Sequence, residues 1–526
     1  MGSIKVLDCT LRDGGYCNEW AFGRDNIDKI VTKLVEAGID IIECGFLTNK
    51  IKTYNPDVSR YPSIGDITPI LPKSHDGYTF VCMANYGECD AESLPECDGS
   101  SVDGIRVAFH KKDVENALSL CRRIREKGYK LFIQAMVSLN YSDSEFLQLI
   151  SKVNELHPYA FYIVDSFGVM KRKDLIRLFY MVEHNLNRNI TIGYHSHNNM
   201  QLSYSNAQAL VDLHAAHDMI IDSSVLGMGR GAGNLNTELF VEYLNDTIGS
   251  QYKLKPLLSI IDEVLNRFHQ QNPWGYSLPN YLSAKHNAHP NYAGYLDSKK
   301  TLTVENMDEI FGMMEPAKRA AFDKAYIEEL YVTYLANRIS WGRTDSDVNL
   351  MFKGKEVLFI APGPSSLSEK DKIMDCARKA GIVTIGINFD YQVFDTDFIF
   401  LSNLRRYREL DVSKHPKCIV TSNIPSQNTF YQADYLELLN DEESVKDNAG
   451  MMLIRFLIKN GAKKIFIAGL DGYSTDSSKN FADPKMNFYT QNALLEAMNH
   501  GMTELLKKFK HEIELEFITT QHYVTL

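Results

Sequence analysis

The sequence predicts an α/β protein with three parts: an N-terminal (β/α)8 TIM barrel, a helical middle segment and a C-terminal Rossmann-like open α/β domain. Eight short β-rich runs alternate with helical stretches through the first part, and a second series of such runs follows later. The stretch between the two series is mostly helical. A chain of 526 residues is long enough for two or three domains. We place them at residues 1–250, 251–345 and 352–526.

The strands predicted for the barrel are near-continuous apolar runs, which is typical of parallel strands covered on both faces. They begin at Ile4, Ile39, Tyr78, Gly104, Lys130, Ala160, Ile190 and Met219. Helical patterns lie between most of them, such as those from Val114 to Lys127 and from Lys171 to Asn187. Eight βα units in this length favour a TIM barrel. A doubly wound open sheet is the alternative.

The second half begins with the helical region, which includes an aromatic, proline-containing stretch from Asn272. A polar segment from Ser340 to Asn349 is the predicted linker. Six further strands then predict an open sheet. They begin at Lys355, Ile382, Asp397, Lys417, Lys463 and Ile513.

Composition and charge exclude several classes of protein. A net charge of −11 argues against a nucleic-acid binder. The chain shows no charged-then-apolar leader and no run of roughly 18 apolar residues, so we expect a soluble protein without a membrane partner. The nine cysteines include no C-x-x-C pair. That pattern favours reduced thiols and a cytoplasmic location.

Two histidines end the seventh predicted strand. His195 and His197 are two residues apart, so their side chains point to the same side of the strand. In a TIM barrel the carboxyl ends of the strands meet at one mouth, where the chemistry takes place. Closure would bring Asp13, after strand one, and Asn234, after strand eight, beside them. This ligand set suits Mn²⁺ or Mg²⁺, with Co²⁺ or Zn²⁺ as alternatives. Hydrogen-bonded core histidines are the structural alternative.

Four separated motifs carry a resemblance to a known family. They are "LDCTLRDGG" from Leu7, "IIECGF" from Ile41, "HSHNN" from His195 and "GMGRGAGN" from Gly227. Together they resemble the metal-dependent aldolase/lyase barrels, a family that includes 4-hydroxy-2-oxovalerate aldolase, hydroxymethylglutaryl-CoA lyase and the isopropylmalate and homocitrate synthases. The likeness covers about residues 4–250, and it is nearest to the 4-hydroxy-2-oxo acid aldolases.

The resemblance implies roles for the residues of these motifs. Asp13, His195 and His197 would bind the metal, with Asn234 as a further ligand or neighbour. Arg12 would stabilise the enolate oxygen, and Glu43 would orient Arg12 or a metal-bound water. These roles agree with the chemistry of a 2-oxo acid, whose ketone and carboxylate oxygens can chelate one cation while negative charge develops on the ketone.

One position departs from the family pattern. The classical aldolases carry a catalytic histidine three residues after the metal-binding aspartate, and here that position is Tyr16. A tyrosine is a poor base at neutral pH but can donate a proton. The base is then another group, a hydroxide on the metal, or His286 or His289 from "KHNAHPNY". Ordinary surface or capping histidines are the alternative for these two.

Four further residues at strand ends are candidates for contacting substrate. Arg106 in strand four would hold a carboxylate or form an ion pair inside the barrel. Gln134 ends strand five. Asp165 and Ser166 end strand six, where Asp165 has the alternative role of capping the next helix.

Three motifs lie within residues 355–475 of the C-terminal part. They are "LFIAPGPSSL" from Leu358, "GINFDY" from Gly386 and "AGLDGY" from Ala468. Together they resemble the nucleotide-binding fold of bacterial sialyltransferases and pterin-pyrophosphokinase-like proteins. The resemblance implies that Gly363, Pro364, Ser365 and Asn388 face a nucleotide. "APGPSS" stands where "GNGPS" is more usual, so one expected asparagine is missing. A structural or partner-docking domain is the alternative.

The function expected from these features is a divalent-metal-dependent aldolase or lyase. It would make or break a carbon–carbon bond next to a 2-oxo acid through a pyruvate enolate, with an aldehyde as the second substrate. A sugar-derived or nucleotide-linked substrate is part of this expectation, as are a nucleotide or nucleotide-sugar ligand and a homodimer. The alternatives are a Claisen-type acyl-CoA synthase, and a nucleotide-sugar transferase or binding protein with an auxiliary barrel.

Overall fold

The computed structural model divides into two compact units. Unit 1 comprises Met1–Gly294 and Pro316–Phe322, and unit 2 comprises Tyr295–Glu315 and Asp323–Leu526. The described residues are 2–299, 301–336, 345–390, 393–410, 417–426, 429–487, 490 and 492–526. The helices after the barrel are shared between the two units, and the domain boundaries predicted above stay a prediction. In the described part of the chain, no helix has both the length and the apolar character needed to cross a bilayer.

Unit 1 contains a closed barrel of eight parallel strands. They are β1 Ile4–Asp8, β2 Ile41–Leu47, β3 Thr79–Asn85, β4 Gly104–Phe109, β5 Lys130–Ala135, β6 Ala160–Asp165, β7 Thr191–Ser196 and β8 Met219–Ser223. Strand β1 pairs with both β2 and β8, which closes the barrel. A two-residue strand, Arg60–Tyr61, lies beside β2. The predicted barrel is therefore confirmed for this unit.

Helices cover the outside of the barrel. They are α1 Arg24–Ala37, α2 Val114–Glu126, α3 Asp143–Leu156, α4 Arg172–Asn185, α5 Ser203–Asp212 and α6 Thr237–Ile248. Their apolar residues recur at helical spacing, as in α1, where Ile27, Ile30, Val31 and Leu34 are buried. Short 3₁₀ turns take the place of helices after β2 and β3.

The inside of the barrel is filled by side chains. Residues such as Leu7, Val81, Phe132, Tyr162 and Ile220 form one buried cluster there. Because side chains close the lower part of the barrel, a ligand can enter only at the mouth, where the loops at the carboxyl ends of the strands supply polar groups.

Further helices follow the barrel. They are α7 Leu254–Ile260, α8 Asn266–Gln271, α9 Leu278–Lys285, α10 Pro290–Ser298, α11 Val304–Met313, α12 Lys324–Ala336 and α13 Asp345–Phe352, with a π-helical turn, Ile261–Leu265, between α7 and α8. Within the predicted linker, residues 340–344 lie outside the described residues, and the rest forms the start of α13.

Unit 2 is built on a second sheet of parallel strands. They are β9 Glu356–Ile360, β10 Ile382–Ile387, β11 Phe398–Leu401, β12 Cys418–Thr421, β13 Tyr431–Ala433, β14 Lys464–Ala468 and β15 Glu514–Phe517. The helices of this part are α14 Ser365–Ser368, α15 Lys370–Ala377, α16 Leu404–Glu409, α17 Ala449–Lys459 and α18 Asn492–Phe509. The six predicted strands are present, and the short β13 was not predicted.

The strand order of this sheet is β13-β12-β11-β10-β9-β14-β15. The chain therefore moves away from β9 in one direction through β10 to β13, and returns on the other side of β9 with β14. The carboxyl ends of β9 and β14 are the place where the order reverses. In open parallel sheets a crevice at such a point is the usual ligand site.

Candidate functional site

Three buried side chains meet at the mouth of the barrel. Asp13 lies in the loop after β1, His195 lies in β7 and His197 follows that strand. One possible ligand atom from each lies within 4.8 Å of the others. The period-two alternation of β7 turns both imidazoles inward, and barrel closure brings the Asp13 loop next to them. The structure thus brings together the three residues that the sequence singled out as metal ligands.

Unpaired polar atoms around Asp13 show that these residues fit a cation. His197 Nδ1 lies 3.8 Å from Asp13 Oδ2. Within the described ranges neither His197 Nδ1 nor Asn234 Oδ1 has a hydrogen-bond partner, although both atoms are buried. Asn234 instead donates through Nδ2 to Asp13 Oδ2 at 2.7 Å. Buried polar atoms are seldom left unpaired, and a mixed nitrogen and oxygen set suits a divalent transition metal.

The protonation states of these ligands also favour metal binding. Burial by itself would raise the pKa of Asp13, but the charge of Arg12 beside it keeps that pKa well below its usual range. Burial lowers the pKa of His197 to about 3. At neutral pH the carboxyl group is therefore ionised and the imidazole is neutral, which are the forms that bind a metal.

Arg12 connects the metal ligands to Glu43. Its Nη1 donates to Asp13 Oδ1 at 2.5 Å, and its Nε donates to Glu43 Oε2 at 2.8 Å. Its Nη2 is buried and has no partner among the described residues. A guanidinium held at two corners with one free donor can receive a developing negative charge on a substrate oxygen without reorganising.

Glu43, Arg106 and Asp222 continue this chain of charges through the barrel interior. Arg106 pairs with Glu43 through Nη1 at 2.8 Å and with Asp222 through Nη2. Asp222 in turn accepts a hydrogen bond from His195 Nδ1 at 2.9 Å. A carboxylate only accepts, so His195 carries its proton on Nδ1 and keeps the Nε2 lone pair for a metal. Arg106 thus makes the ion pair that was one of its two predicted roles.

Gln134, Asp165 and Ser166 lie at neighbouring strand ends in different environments. Gln134 Nε2 is buried and unpaired within the described part of the chain, so Gln134 remains a candidate for contacting substrate. Asp165 accepts backbone hydrogen bonds from Val169 and Met170, at 2.9 and 3.0 Å, and thereby holds the loop after β6. Ser166 Oγ accepts from the backbone N–H of Val137 at 2.9 Å.

Arg230 brings two of the acid–base candidates together. Its guanidinium carbon lies 5.2 Å from the ring centre of Tyr16, and its Nη1 lies 3.5 Å from His289 Nε2. Burial, followed by the charge of Arg230, lowers the pKa of His289 to about 3. Tyr16 is 39% exposed and packs edge-on against Trp20, with 4.7 Å between ring centres. His289 and Tyr16 therefore both contact one cation.

The structure does not give His286 a similar position. It follows α9, and its carbonyl oxygen accepts a hydrogen bond from Arg319 Nη1 at 3.1 Å. In contrast, the next residues of this segment reach the mouth loops, since a Cβ atom built at Gly231 would lie 3.4 Å from Pro290 Cβ. The segment after α9 thus brings His289 to the mouth loops.

Part of the mouth is apolar. Phe46, Met83 and Ala108, at the ends of β2, β3 and β4, form a small buried cluster with Trp20 and Met136 packed against it. The candidate metal ligands come from the loop after β1, from β7 and its end, and from the loop after β8. The mouth therefore has an apolar patch in addition to the candidate metal site.

In unit 2 the Gly-Pro-Ser turn after β9 is occupied by a carboxylate from its own chain. Asp471 accepts hydrogen bonds from the Ser365 backbone N–H at 2.8 Å and from the Ser365 hydroxyl. Ser365 is buried and also bonds Thr519. The donors that sequence reasoning assigned to a nucleotide are thus used internally.

A cavity of about 600 Å³ lies outside the carboxyl ends of the unit 2 strands. Gly363 and Asn388 are among its lining residues, but Pro364 and Ser365 are not. Four side-chain oxygens that line it are buried without a partner among the residues described. They are Tyr295 Oη, Asn388 Oδ1, Ser402 Oγ and Thr490 Oγ1. The volume is typical of a small-molecule site.

Sequence reasoning missed two residues of the barrel site. Asp222 is the one charged residue in the apolar run "MIIDS", and Arg230 is the one cation in the glycine-rich loop "GMGRGAGN". A charge in the middle of a buried strand, or alone among glycines at a barrel mouth, was the available signal.

Comparisons with known proteins agree with this geometry. Residues 107–264 match the HMGL-like family model, a region that contains His195, His197 and Asn234 but not Asp13. A 4-hydroxy-2-oxovalerate aldolase from Geobacillus genomosp. 3 is 26% identical, over 46% of this chain and 71% of its own length. An oxaloacetate decarboxylase from Mycobacterium tuberculosis is 25% identical, over 45% of this chain and 69% of its own length.

A solved structure adds a likeness in fold alone. Pyruvate carboxylase from Rhizobium etli is 13% identical, with a TM-score of 0.50, covering 68% of this chain and 35% of its own. The relatives and the family match, taken without this structure, show that the protein is an enzyme, a carbon–carbon lyase.

Proposed function

We propose that unit 1 is a divalent-metal-dependent aldolase that makes or breaks the bond between C3 and C4 of a 4-hydroxy-2-oxo acid. The observation that carries the proposal is the meeting of Asp13, His195 and His197 beside the free Nη2 of Arg12. Mn²⁺ or Mg²⁺ is the proposed cation, with Co²⁺ or Zn²⁺ as alternatives. Bound there, the cation would act as a Lewis acid toward the ketone of the substrate.

The residues around the site have distinct roles in this proposal. Arg12 places a positive charge at the oxygen that becomes the enolate, and Glu43 holds Arg12 in position. In the cleavage direction His289 accepts the proton of the 4-hydroxyl group, C4 becomes a carbonyl carbon, and the C3–C4 electron pair passes into the enolate. Tyr16 then donates a proton to C3, which completes pyruvate.

One experiment tests the proposal directly. Metal analysis of the purified protein is combined with a screen for pyruvate release from a set of 4-hydroxy-2-oxo acids. We expect about one divalent ion per chain and pyruvate from at least one compound. His195→Ala should lose both, because it removes a ligand. Absence of a bound ion together with undiminished activity in His195→Ala would rule the mechanism out.

Two other functions are separated by the same assay. A Claisen-type synthase would turn over acetyl-CoA with a 2-oxo acid and leave hydroxy-oxo acids unchanged. A transferase or binding protein with an auxiliary barrel would lose activity on substitution of Ser365 and Asn388 but not in His195→Ala.

We further propose that unit 2 is a Rossmann-like domain, related to the sialyltransferase and pterin-pyrophosphokinase-like proteins, and that it binds a nucleotide or nucleotide sugar. The unpaired oxygens of Asn388 and Ser402 in the cavity support this, because a polar ligand would supply their missing partners. On this proposal the barrel acts on a sugar-derived or nucleotide-linked substrate.

Calorimetric titration of the full chain with nucleoside mono- and diphosphates tests the cavity. Asn388→Ala should weaken nucleotide binding by at least about tenfold, because it removes one hydrogen bond between uncharged groups. A cytoplasmic homodimer completes the proposal, and light scattering of the purified protein tests its assembly state.

A further inference from the structure

Arg230 is a cation at the mouth of the barrel that forms no ion pair with any described residue. No carboxylate of the described residues pairs with its guanidinium, and its Nε is buried without any hydrogen-bond partner. Its guanidinium contacts the Tyr16 ring and His289 Nε2, neither of which carries negative charge. Asp13 is near enough for its pKa to be lowered by the charge of Arg230, but the two side chains form no ion pair. Other arginines of the site, Arg12 and Arg106, each pair with two carboxylates. The guanidinium of Arg230 is thus available to bind an anionic group of a ligand.

The backbone holds Arg230 in one place. A Cβ atom at Gly229 would lie 2.3 Å from Asn234 Nδ2, and one at Gly231 would lie 2.7 Å from Asn199 Oδ1. The chain on both sides of Arg230 is therefore closely packed against buried side chains. The guanidinium stands on a packed loop beside the metal ligands, and an anion that it binds must lie in the mouth.

We infer that Arg230 binds a second carboxylate of the substrate, attached at C4, so that the preferred substrates are 4-hydroxy-2-oxo dicarboxylic acids. This inference rests on the proposed function. Tyr16 and His289, the groups that would handle protons at C3 and at the 4-hydroxyl, both contact Arg230. A substituent on C4 therefore lies within reach of the guanidinium, whose planar donors match a carboxylate.

The same arrangement would also improve His289 as a base. The charge of Arg230 is the second cause, after burial, of the low basicity of His289. A carboxylate bound to Arg230 would neutralise that charge when the substrate arrives, so a dicarboxylic acid would raise the basicity of the imidazole, although the effect of burial remains.

Binding of uncleavable analogues tests the inference without catalysis. The Mn²⁺-loaded protein is titrated calorimetrically with 2-oxoglutarate and with 2-oxopentanoate, which differ only in a carboxylate against a methyl group. We expect the dicarboxylate to bind about 50-fold more tightly, as for a charge-assisted hydrogen-bond pair. Arg230→Gln should bind both compounds equally, and Arg230→Lys should keep part of the preference. Lys112→Gln is the control, because it removes an exposed positive charge that, like Arg230, lowers the pKa of His110. This variant should behave as wild type.

Cleavage of matched substrates provides the second arm. Pyruvate release from 4-hydroxy-2-oxoglutarate and from 4-hydroxy-2-oxopentanoate is measured by proton NMR and compared. The ratio of kcat/KM values should favour the dicarboxylate by about 50-fold in wild type and fall to near one in Arg230→Gln. Equal binding of the two analogues by wild type would overturn the inference, whatever the cleavage result. A binding preference without pyruvate from either substrate would leave the subsite standing and remove the proposed aldolase function.

Discussion

Glu43 Oε2 lies 2.8 Å from Arg106 Nη1 inside the barrel, where neither side chain reaches solvent. The same carboxylate oxygen accepts from Arg12 Nε. The carboxylate of Glu43 therefore links Arg106, in the packed interior of the barrel, to Arg12 at its mouth. We therefore expect stability and catalysis to depend on the same residue, because removing its charge would leave two buried cations short of a partner.

Glu43→Gln tests this dual role. The amide keeps the shape of the side chain but removes the negative charge, so we expect the free energy of unfolding to fall by about 3–5 kcal/mol. Urea unfolding followed by tryptophan fluorescence measures the change. Glu36→Gln on the exposed face of α1 should cost less than about 1 kcal/mol. Equal losses in the two variants would mean that the buried network contributes little.

Asp222→Asn should weaken metal binding while leaving the ligands themselves in place. The carboxylate fixes the tautomer and the orientation of His195, and comparable changes cost about 10–100-fold in metal affinity. Mn²⁺ titration against a competing chelator gives the affinity. Asp218→Asn, which alters an exposed acid on the same segment, is the control. An unchanged affinity in Asp222→Asn would show that the hydrogen bond does not orient the imidazole.

Arg12→Lys should separate chemistry from metal binding. Lysine keeps the charge but has no planar fork, so it cannot bond Asp13 and Glu43 and still present a free donor. We expect exchange of the pyruvate methyl protons with D₂O to slow by about 100-fold or more. The Mn²⁺ content should stay at the wild-type level. Exchange at the wild-type rate would exclude Arg12 as the group that stabilises the enolate.

Gly229→Ala should destroy the metal site by crowding. The added methyl group would lie 2.3 Å from Asn234 Nδ2 and 2.7 Å from Asp13 Oδ2, so both side chains must move. We expect loss of bound Mn²⁺ and of activity, measured on the purified variant. Gly294→Ala in α10 meets no atom within 4 Å and should leave the metal content unchanged. Full metal occupancy in Gly229→Ala would contradict the close packing of this loop.

The buried imidazole of His289 should make stability depend on pH. Its pKa is about 3 in the folded protein against 6.5 for the free side chain. The folded state therefore binds fewer protons than the unfolded state between these values, and stability falls as pH drops below 6.5. Between pH 8 and pH 5, His289 should lower the free energy of unfolding by about 2 kcal/mol. The free energy of unfolding is measured with urea at both pH values for the metal-free wild type and for His289→Asn. The wild type should lose about 2 kcal/mol more than the variant on going from pH 8 to pH 5. Parallel pH profiles would mean that the imidazole is protonated in the fold.

The barrel was predictable because each strand carries its own signal. Runs such as that from Ala160 to Val164 are apolar on both faces and lie at regular spacing, so local pattern indicates strand number and order. The short strand Tyr431–Ala433 was missed because three residues at a sheet edge have too weak a pattern. The grouping of the candidate metal ligands was predictable for a similar reason, since His195 and His197 share a strand face and their neighbours follow from closure.

The partners of the charged side chains could not be predicted from the sequence. Arg106 could be assigned either a substrate or an ion pair, and Asp165 either substrate or backbone, because a residue's partner depends on which distant strands become its neighbours. Ser365 illustrates the same limit in unit 2, where Asp471, more than a hundred positions away, takes its donors.

By itself the sequence determined the eight-stranded barrel, the second parallel sheet and the face on which the two histidines lie, because periodicity and chain order are local properties. Only the tertiary structure decided that Asp222 holds His195, that Arg106 is neutralised inside the barrel and that Arg230 forms no ion pair with the described residues. The physical reason is that charge pairing in a buried site depends on distances of a few ångströms between strands far apart in the chain, which no local pattern encodes.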